Sequence, residues 1–116
     1  MLNYREVNST HLEFVTIASV EELGNGERLF LEVGGFPIAL FNIAGKYFAI
    51  ADVCSHDDGP VAEGELNGFE IACPRHGARF DLQTGKALTL PAVVDIPAYP
   101  VKIEDGAILI GLPLER

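Results

Sequence analysis

Two short clusters of metal-ligating residues dominate this chain: Cys54-x-His56, a gap of sixteen residues, then Cys73-x-x-His76. Between them they hold both cysteines and two of the three histidines. Each cluster offers one thiolate and one imidazole. Gly59-Pro60 follows the first pair and Gly77 follows the second, so the backbone can bend beside each. Two such hooks facing each other make a site of two sulfurs and two nitrogens. A scaffold that carries it must bring two loops, distant in sequence, to one point.

The surrounding chain reads as short strands. Leu12–Ala18 carries Phe14, Val15 and Ile17, and Arg28–Val33 alternates with Leu29, Leu31 and Val33 on one face. Gly34-Gly35 turns into a return strand over Phe36–Ile43. Ala44-Gly45 is a second tight turn before Lys46–Ile50. Asn67-Gly68 is a hairpin signal leading into Phe69–Ala72, and Arg79–Leu82 ends at the turn Gln83-Thr84-Gly85. A final hairpin of Ile96–Ile103 and Ala107–Leu112 crosses Glu104-Asp105-Gly106. The one helical feature is a single turn from Ser19-Val20-Glu21-Glu22, which has capping-box spacing and is expected to end at Gly24. Frequent turns and almost no helical period predict an all-β domain. The hooks lie in loops at strand ends, where a rigid scaffold usually presents a site.

A chain of 116 residues has room for one domain, residues 1–116, and buries roughly two-thirds of its unfolded surface. Its 17 acidic against 8 basic residues give a formal net charge of −9. Nucleic acid and anionic membrane surfaces need basic patches, so neither is expected as a partner. Positively charged protein surfaces fit better. No apolar run reaches the ~20 residues needed to cross a bilayer, and the N-terminus MLNYREVNST has no secretory pattern. The expected location is the cytoplasm, with reduced cysteines. A disulfide would leave the histidine beside each cysteine without a reason. His11 has no second ligand near it and is expected to be a surface residue.

A tetrahedral zinc ion accepts two thiolates and two imidazoles. Zinc fingers, however, pair cysteine with cysteine and histidine with histidine, whereas each hook here mixes the two. The mixed order suits a two-iron cluster whose thiolates bind one iron and whose imidazoles bind the other. At these residues the sequence resembles a known family. Cys54-Ser55-His56 with Cys73-Pro74-Arg75-His76-Gly77 and Phe80-Asp81 looks like the signature of Rieske [2Fe–2S] proteins. The likeness runs on through Thr84-Gly85 to Leu90-Pro91-Ala92.

The resemblance implies several short antiparallel sheets with a cluster-binding subdomain inserted at about residues 52–83, and ligand loops at 54–60 and 73–79. It implies one [2Fe–2S] cluster per chain, with Cys54 and Cys73 on one iron and His56 and His76 on the other. It also implies that Gly59, Pro60, Gly77 and Pro91 shape loops over the cluster. High-potential relatives carry an extra cysteine in each hook, a serine after the His-Gly pair and a tyrosine two residues later. Here there are two cysteines in all, and those positions are Ala78 and Phe80. Fewer hydrogen bonds to sulfur imply a low potential within the Rieske range. In the first hook Val61 stands where the family often has leucine. Asp57 and Asp58 either disfavour an added electron or are ordinary loop residues; Arg75 either marks a docking surface or is simply solvated.

The function expected is that of a soluble one-electron carrier, not an enzyme, with no small-molecule substrate of its own. The chain resembles the ferredoxin component that passes electrons from a flavoprotein reductase to a terminal oxygenase. Two other roles within the family stay open: a donor accessory to iron–sulfur assembly, and the small subunit of assimilatory nitrite reductase. From a different class, a structural zinc module that only binds a partner is the alternative. Colour separates the two, since an iron–sulfur protein is red-brown.

Overall fold

The computed structural model of the chain describes residues 12–53, 64–74, 77–90 and 94–113. Among these residues ten strands follow one another: β1 (Glu13–Ser19), β2 (Arg28–Val33), β3 (Phe36–Ile43), β4 (Lys46–Ala51), β5 (Leu66–Asn67), β6 (Glu70–Ala72), β7 (Arg79–Asp81), β8 (Ala98–Tyr99), β9 (Val101–Glu104) and β10 (Ala107–Leu112). They form three antiparallel sheets, ordered β1-β10-β9, β2-β3-β4-β8 and β5-β6-β7. Among the described residues the helical content is one 3-10 turn, Val20–Glu22, where the Glu22 carboxylate accepts the Ser19 N–H at 2.8 Å. That turn ends at Leu23, one residue before the glycine expected to stop it.

The limits of β2 and β3 are those the sequence predicts, because the turns between strands are written locally. Gly34 and Gly35 both have positive φ, as does Gly45. Ala44 shares that conformation at φ 55°, unusual for a residue with a Cβ, while its N–H donates to the Asn25 side chain at 2.6 Å. The β3 run from Ile38 to Asn42 is buried residue after residue rather than alternately, so this strand is covered on both faces. Asn42, the polar member, donates from its amide to Leu23 O at 2.9 Å and accepts from Gly45 N–H at 2.9 Å, which satisfies it in the core.

The expected strand Ile96–Ile103 is not one strand. It breaks at Pro100 into β8, which pairs with β4, and β9, which pairs with β10 in a different sheet. Proline has no N–H for a ladder, so the chain changes sheets there. The Pro100 carbonyl still accepts from Gly111 N–H at 2.9 Å, which keeps the corner tied to β10.

The third sheet lies between β4 and β8 in the chain, as the expected insertion requires, but reaches beyond residue 83. Phe80 bridges Ala87, and Leu88 N–H donates to Arg79 O at 2.8 Å, so residues 86–89 add a further edge to β7. Phe69 meets Phe48 of the second sheet edge-on at 5.4 Å between ring centroids. Gly85, at φ +77°, presses against the segment leading into β8, and Ile96 N–H donates to Gly85 O at 2.8 Å. A Cβ at Gly85 would overlap the Ile96 carbonyl oxygen, so only glycine allows this approach.

Candidate metal centre

The second hook grows out of the β6–β7 hairpin. Ile71 lies opposite Phe80, and Ala72 opposite Arg79. One rung further, Cys73 N–H donates to Ala78 O at 2.6 Å, and Gly77 N–H returns to Cys73 O at 2.9 Å. Directly opposed residues share a face and neighbours along a strand alternate, so Ile71, Cys73, Ala78 and Phe80 point to the same side. All four are buried, Cys73 at 2% exposure and the others at 0%. The turn between the two arms needs Gly77 for its positive φ of 75°; a Cβ there would meet nothing within 4 Å, so conformation rather than space selects glycine.

The Cys73 thiol is thus held inward, in no disulfide, with the methyl of Ala78 and the ring of Phe80 on its side of the sheet. A rigidly placed, dehydrated sulfur suits a soft metal ligand better than a surface thiol would. Neither Ala78 nor Phe80 carries a hydroxyl that could donate to it.

Cys54, His56 and His76 lie outside the described residues, as do Asp57, Asp58, Gly59, Pro60, Val61, Arg75, Pro91, Ala92 and His11. Among the described residues no group of three or more His, Cys, Asp or Glu side chains is assembled. What the structure fixes around the first hook is its flanks. Before it, Ala51 N–H donates to Pro97 O and Asp52 N–H to Pro37 O, each at 2.9 Å, and Val53 is buried at 6% exposure. After it, Gly64 O accepts from the Arg28 guanidinium at 2.7 Å.

Two residues that sequence reasoning passed over belong beside the second hook. The Thr89 hydroxyl accepts from Arg79 N–H at 3.0 Å, and the Asp95 carboxylate from Ala87 N–H at 2.8 Å. They tie residues 89 and 95 to β7 and to the edge beside it. The signal was present in kind, since Thr and Asp in a loop often replace a missing backbone acceptor. Nothing local named their partners. Leu90, between them, is the most exposed large apolar residue described, at 76%.

No described helix is long and apolar enough to cross a membrane. Among known protein families, the Rieske [2Fe-2S] domain matches residues 13–100. The 3-phenylpropionate/cinnamic acid dioxygenase ferredoxin subunit of Escherichia coli K12 is 44% identical over 95 residues, covering 81% of this chain and 89% of that protein. The ferredoxin component of the naphthalene 1,2-dioxygenase/salicylate 5-hydroxylase systems of a Ralstonia species is 37% identical over 99 residues, covering 85% and 95%. The solved ferredoxin of carbazole 1,9a-dioxygenase from Nocardioides aromaticivorans IC177 superposes with a TM-score of 0.79 at 30% identity, covering 84% and 95%. A ferredoxin solved in complex with the oxygenase of carbazole 1,9a-dioxygenase gives 0.78 at 25% identity, covering 84% and 92%. The zinc module falls away on this comparison, and the inward Cys73 fits the family's cofactor. The chain belongs to the Rieske [2Fe–2S] domain family.

Proposed function

We propose that this chain is the ferredoxin of a multicomponent oxygenase system, a soluble cytoplasmic carrier taking single electrons from a flavoprotein reductase to a terminal oxygenase. The observation that carries this reading is the Cys73 thiol, held inward on a hairpin whose described residues on that face, Ile71, Ala78 and Phe80, are apolar. The relatives support the physiological role, since the proteins it matches over most of their length are ferredoxins of aromatic dioxygenase systems. They favour this reading over iron–sulfur assembly or nitrite reduction.

In this reading the whole chain, residues 1–116, is a single domain built around loops 54–60 and 73–79. The thiolates of Cys54 and Cys73 would hold one iron, and one ring nitrogen each of His56 and His76 would hold the other. When bound, the cluster takes up and releases one electron at a time. The remaining work belongs to the chain's own groups. Cys73 is kept at the end of β6 by the Ala78 carbonyl, which limits movement between redox states. The side chains of Ala78 and Phe80 exclude water from its side and carry no hydroxyl to donate, which sets the potential towards the low end of the Rieske range. The second ring nitrogen of His56 and of His76 keeps an N–H that can release a proton. The charge of −9 favours docking on basic faces of the partners.

Electron paramagnetic resonance of the dithionite-reduced protein tests the ligand set. A Rieske-type signal with low average g is expected; a signal of all-cysteine ligation would sink the assignment. The role is tested by reconstitution with the reductase and terminal oxygenase of an aromatic dioxygenase system, where product formation should depend on this chain.

A further inference from the structure

The hydrogen-bond ladder along the outer edge of β7 ends on a side chain. Phe80 bridges Ala87, with Asp81 N–H donating to Lys86 O at 3.0 Å on one side of that bridge and Leu88 N–H to Arg79 O at 2.8 Å on the other. An antiparallel rung between Arg79 and Leu88 would be completed by a return bond from Arg79 N–H to the Leu88 carbonyl. That N–H instead donates to the Thr89 hydroxyl oxygen at 3.0 Å.

The Arg79 N–H and the Ala78 carbonyl belong to one planar peptide group, and in a trans peptide they point to opposite sides. On its other side this group accepts the 2.6 Å bond from Cys73 N–H. One rigid plane thus bridges Thr89 and Cys73. A peptide that donates on one side is a stronger acceptor on the other, because the two bonds polarise each other. Gly77 N–H, donating to Cys73 O at 2.9 Å, holds the cysteine from its carbonyl side but leaves its N–H dependent on that plane.

We propose that Thr89 is a positioning residue of the metal centre: its hydroxyl pins the Ala78–Arg79 peptide, whose carbonyl fixes the backbone of Cys73. This rests on ligation by Cys73 as proposed above. Without the hydroxyl the plane rocks about its remaining contacts. The Cys73 N–H then loses a fixed acceptor, and its sulfur holds iron in a wider spread of geometries.

The test uses the holoprotein with Thr89→Val, which keeps the branched shape and removes the acceptor, and Thr89→Ser, which keeps the hydroxyl. Cluster loss in excess chelator is followed by visible bleaching, alongside electron paramagnetic resonance and thermal unfolding. Thr89→Val should bleach about threefold faster or more, the effect of losing one neutral hydrogen bond. Its resonance lines should broaden, and Thr89→Ser should recover both properties. A lowered unfolding midpoint with wild-type bleaching and line shape in Thr89→Val would mark a tie of the fold alone and overturn the proposal. Thr89→Ser bleaching as fast as Thr89→Val would overturn it too. Should Thr89→Val hold no cluster, Thr89→Ser decides: a wild-type lifetime supports the proposal, and a chain that also holds none overturns it. Failure of the ligand set itself shows separately, as a wild-type spectrum that is not of the Rieske type.

Discussion

Cys73 and Ala78 face each other across the mouth of the β6–β7 hairpin, joined by a 2.6 Å hydrogen bond from the cysteine N–H to the alanine carbonyl. Both side chains are buried on the face that also carries Ile71 and Phe80. The residue best placed to touch the Cys73 sulfur from the opposing arm is therefore a methyl group, and its neighbour on the same face is a phenyl ring.

Replacing these two by Ala78→Ser and Phe80→Tyr should raise the reduction potential, because hydroxyls donating to sulfur stabilise the reduced centre. A rise of roughly 0.1 V, a fraction of the Rieske span, is expected by voltammetry. A potential unchanged by the double substitution would refute the account of Ala78 and Phe80. A hydroxyl that found no acceptor would instead appear as lost stability, since both sites are fully buried.

Ligation by His56 and His76 predicts that the potential falls at alkaline pH. Deprotonation of an imidazole N–H is easier in the oxidised state, so loss of the proton favours that state. Above the oxidised-state titration the slope should approach about −59 mV per pH unit for one proton per electron. A potential flat to high pH contradicts histidine ligation.

Tyr99 gives a second alkaline effect with a different cause. Its ring is 5% exposed and meets Phe36 edge-on at 6.4 Å, and its hydroxyl has no hydrogen-bond partner among the described residues. Burial raises its pKa from 10.0 to about 12. The folded state thus keeps the phenol proton between pH 10 and 12, while the unfolded chain, titrating at its ordinary value, has lost it. The associated stability is complete below pH 10 and declines up to about pH 12, by roughly 3 kcal/mol at most. Urea unfolding should show this decline in the wild type and a smaller one in Tyr99→Phe. Near neutral pH, Tyr99→Phe should be neutral or stabilising by about 1 kcal/mol, because it removes an unsatisfied buried hydroxyl.

Positive φ at Gly85 and at Ala44 should give opposite outcomes. Gly85→Ala places a Cβ on the Ile96 carbonyl and strains φ +77° as well, so it should lower stability by about 3 kcal/mol or more and loosen the third sheet. Ala44→Gly relieves φ 55° in an open turn and should stabilise by about 1 kcal/mol. Thermal unfolding midpoints moving in opposite directions would bear out both; a wild-type midpoint in Gly85→Ala would contradict the close packing.

The alternating face of β2, the turns at Gly34-Gly35 and Ala44-Gly45 and the hook around Cys73 were legible because each depends on residues within a few positions of one another. Turn glycines set φ locally, and side-chain alternation sets a strand's faces. The paired hooks likewise carried enough chemistry to indicate the family before any coordinates. What the sequence could not show was which strand pairs with which. Pro100 divides one apolar run between two sheets, Gly85 receives Ile96, and Arg28 reaches Gly64, all across gaps where packing and hydrogen-bond closure decide. Local propensity has no term for a partner ten or thirty residues away. The ligand residues were thus written in the chain, while the apolar face around Cys73 and the struts behind the loops came only with the tertiary structure.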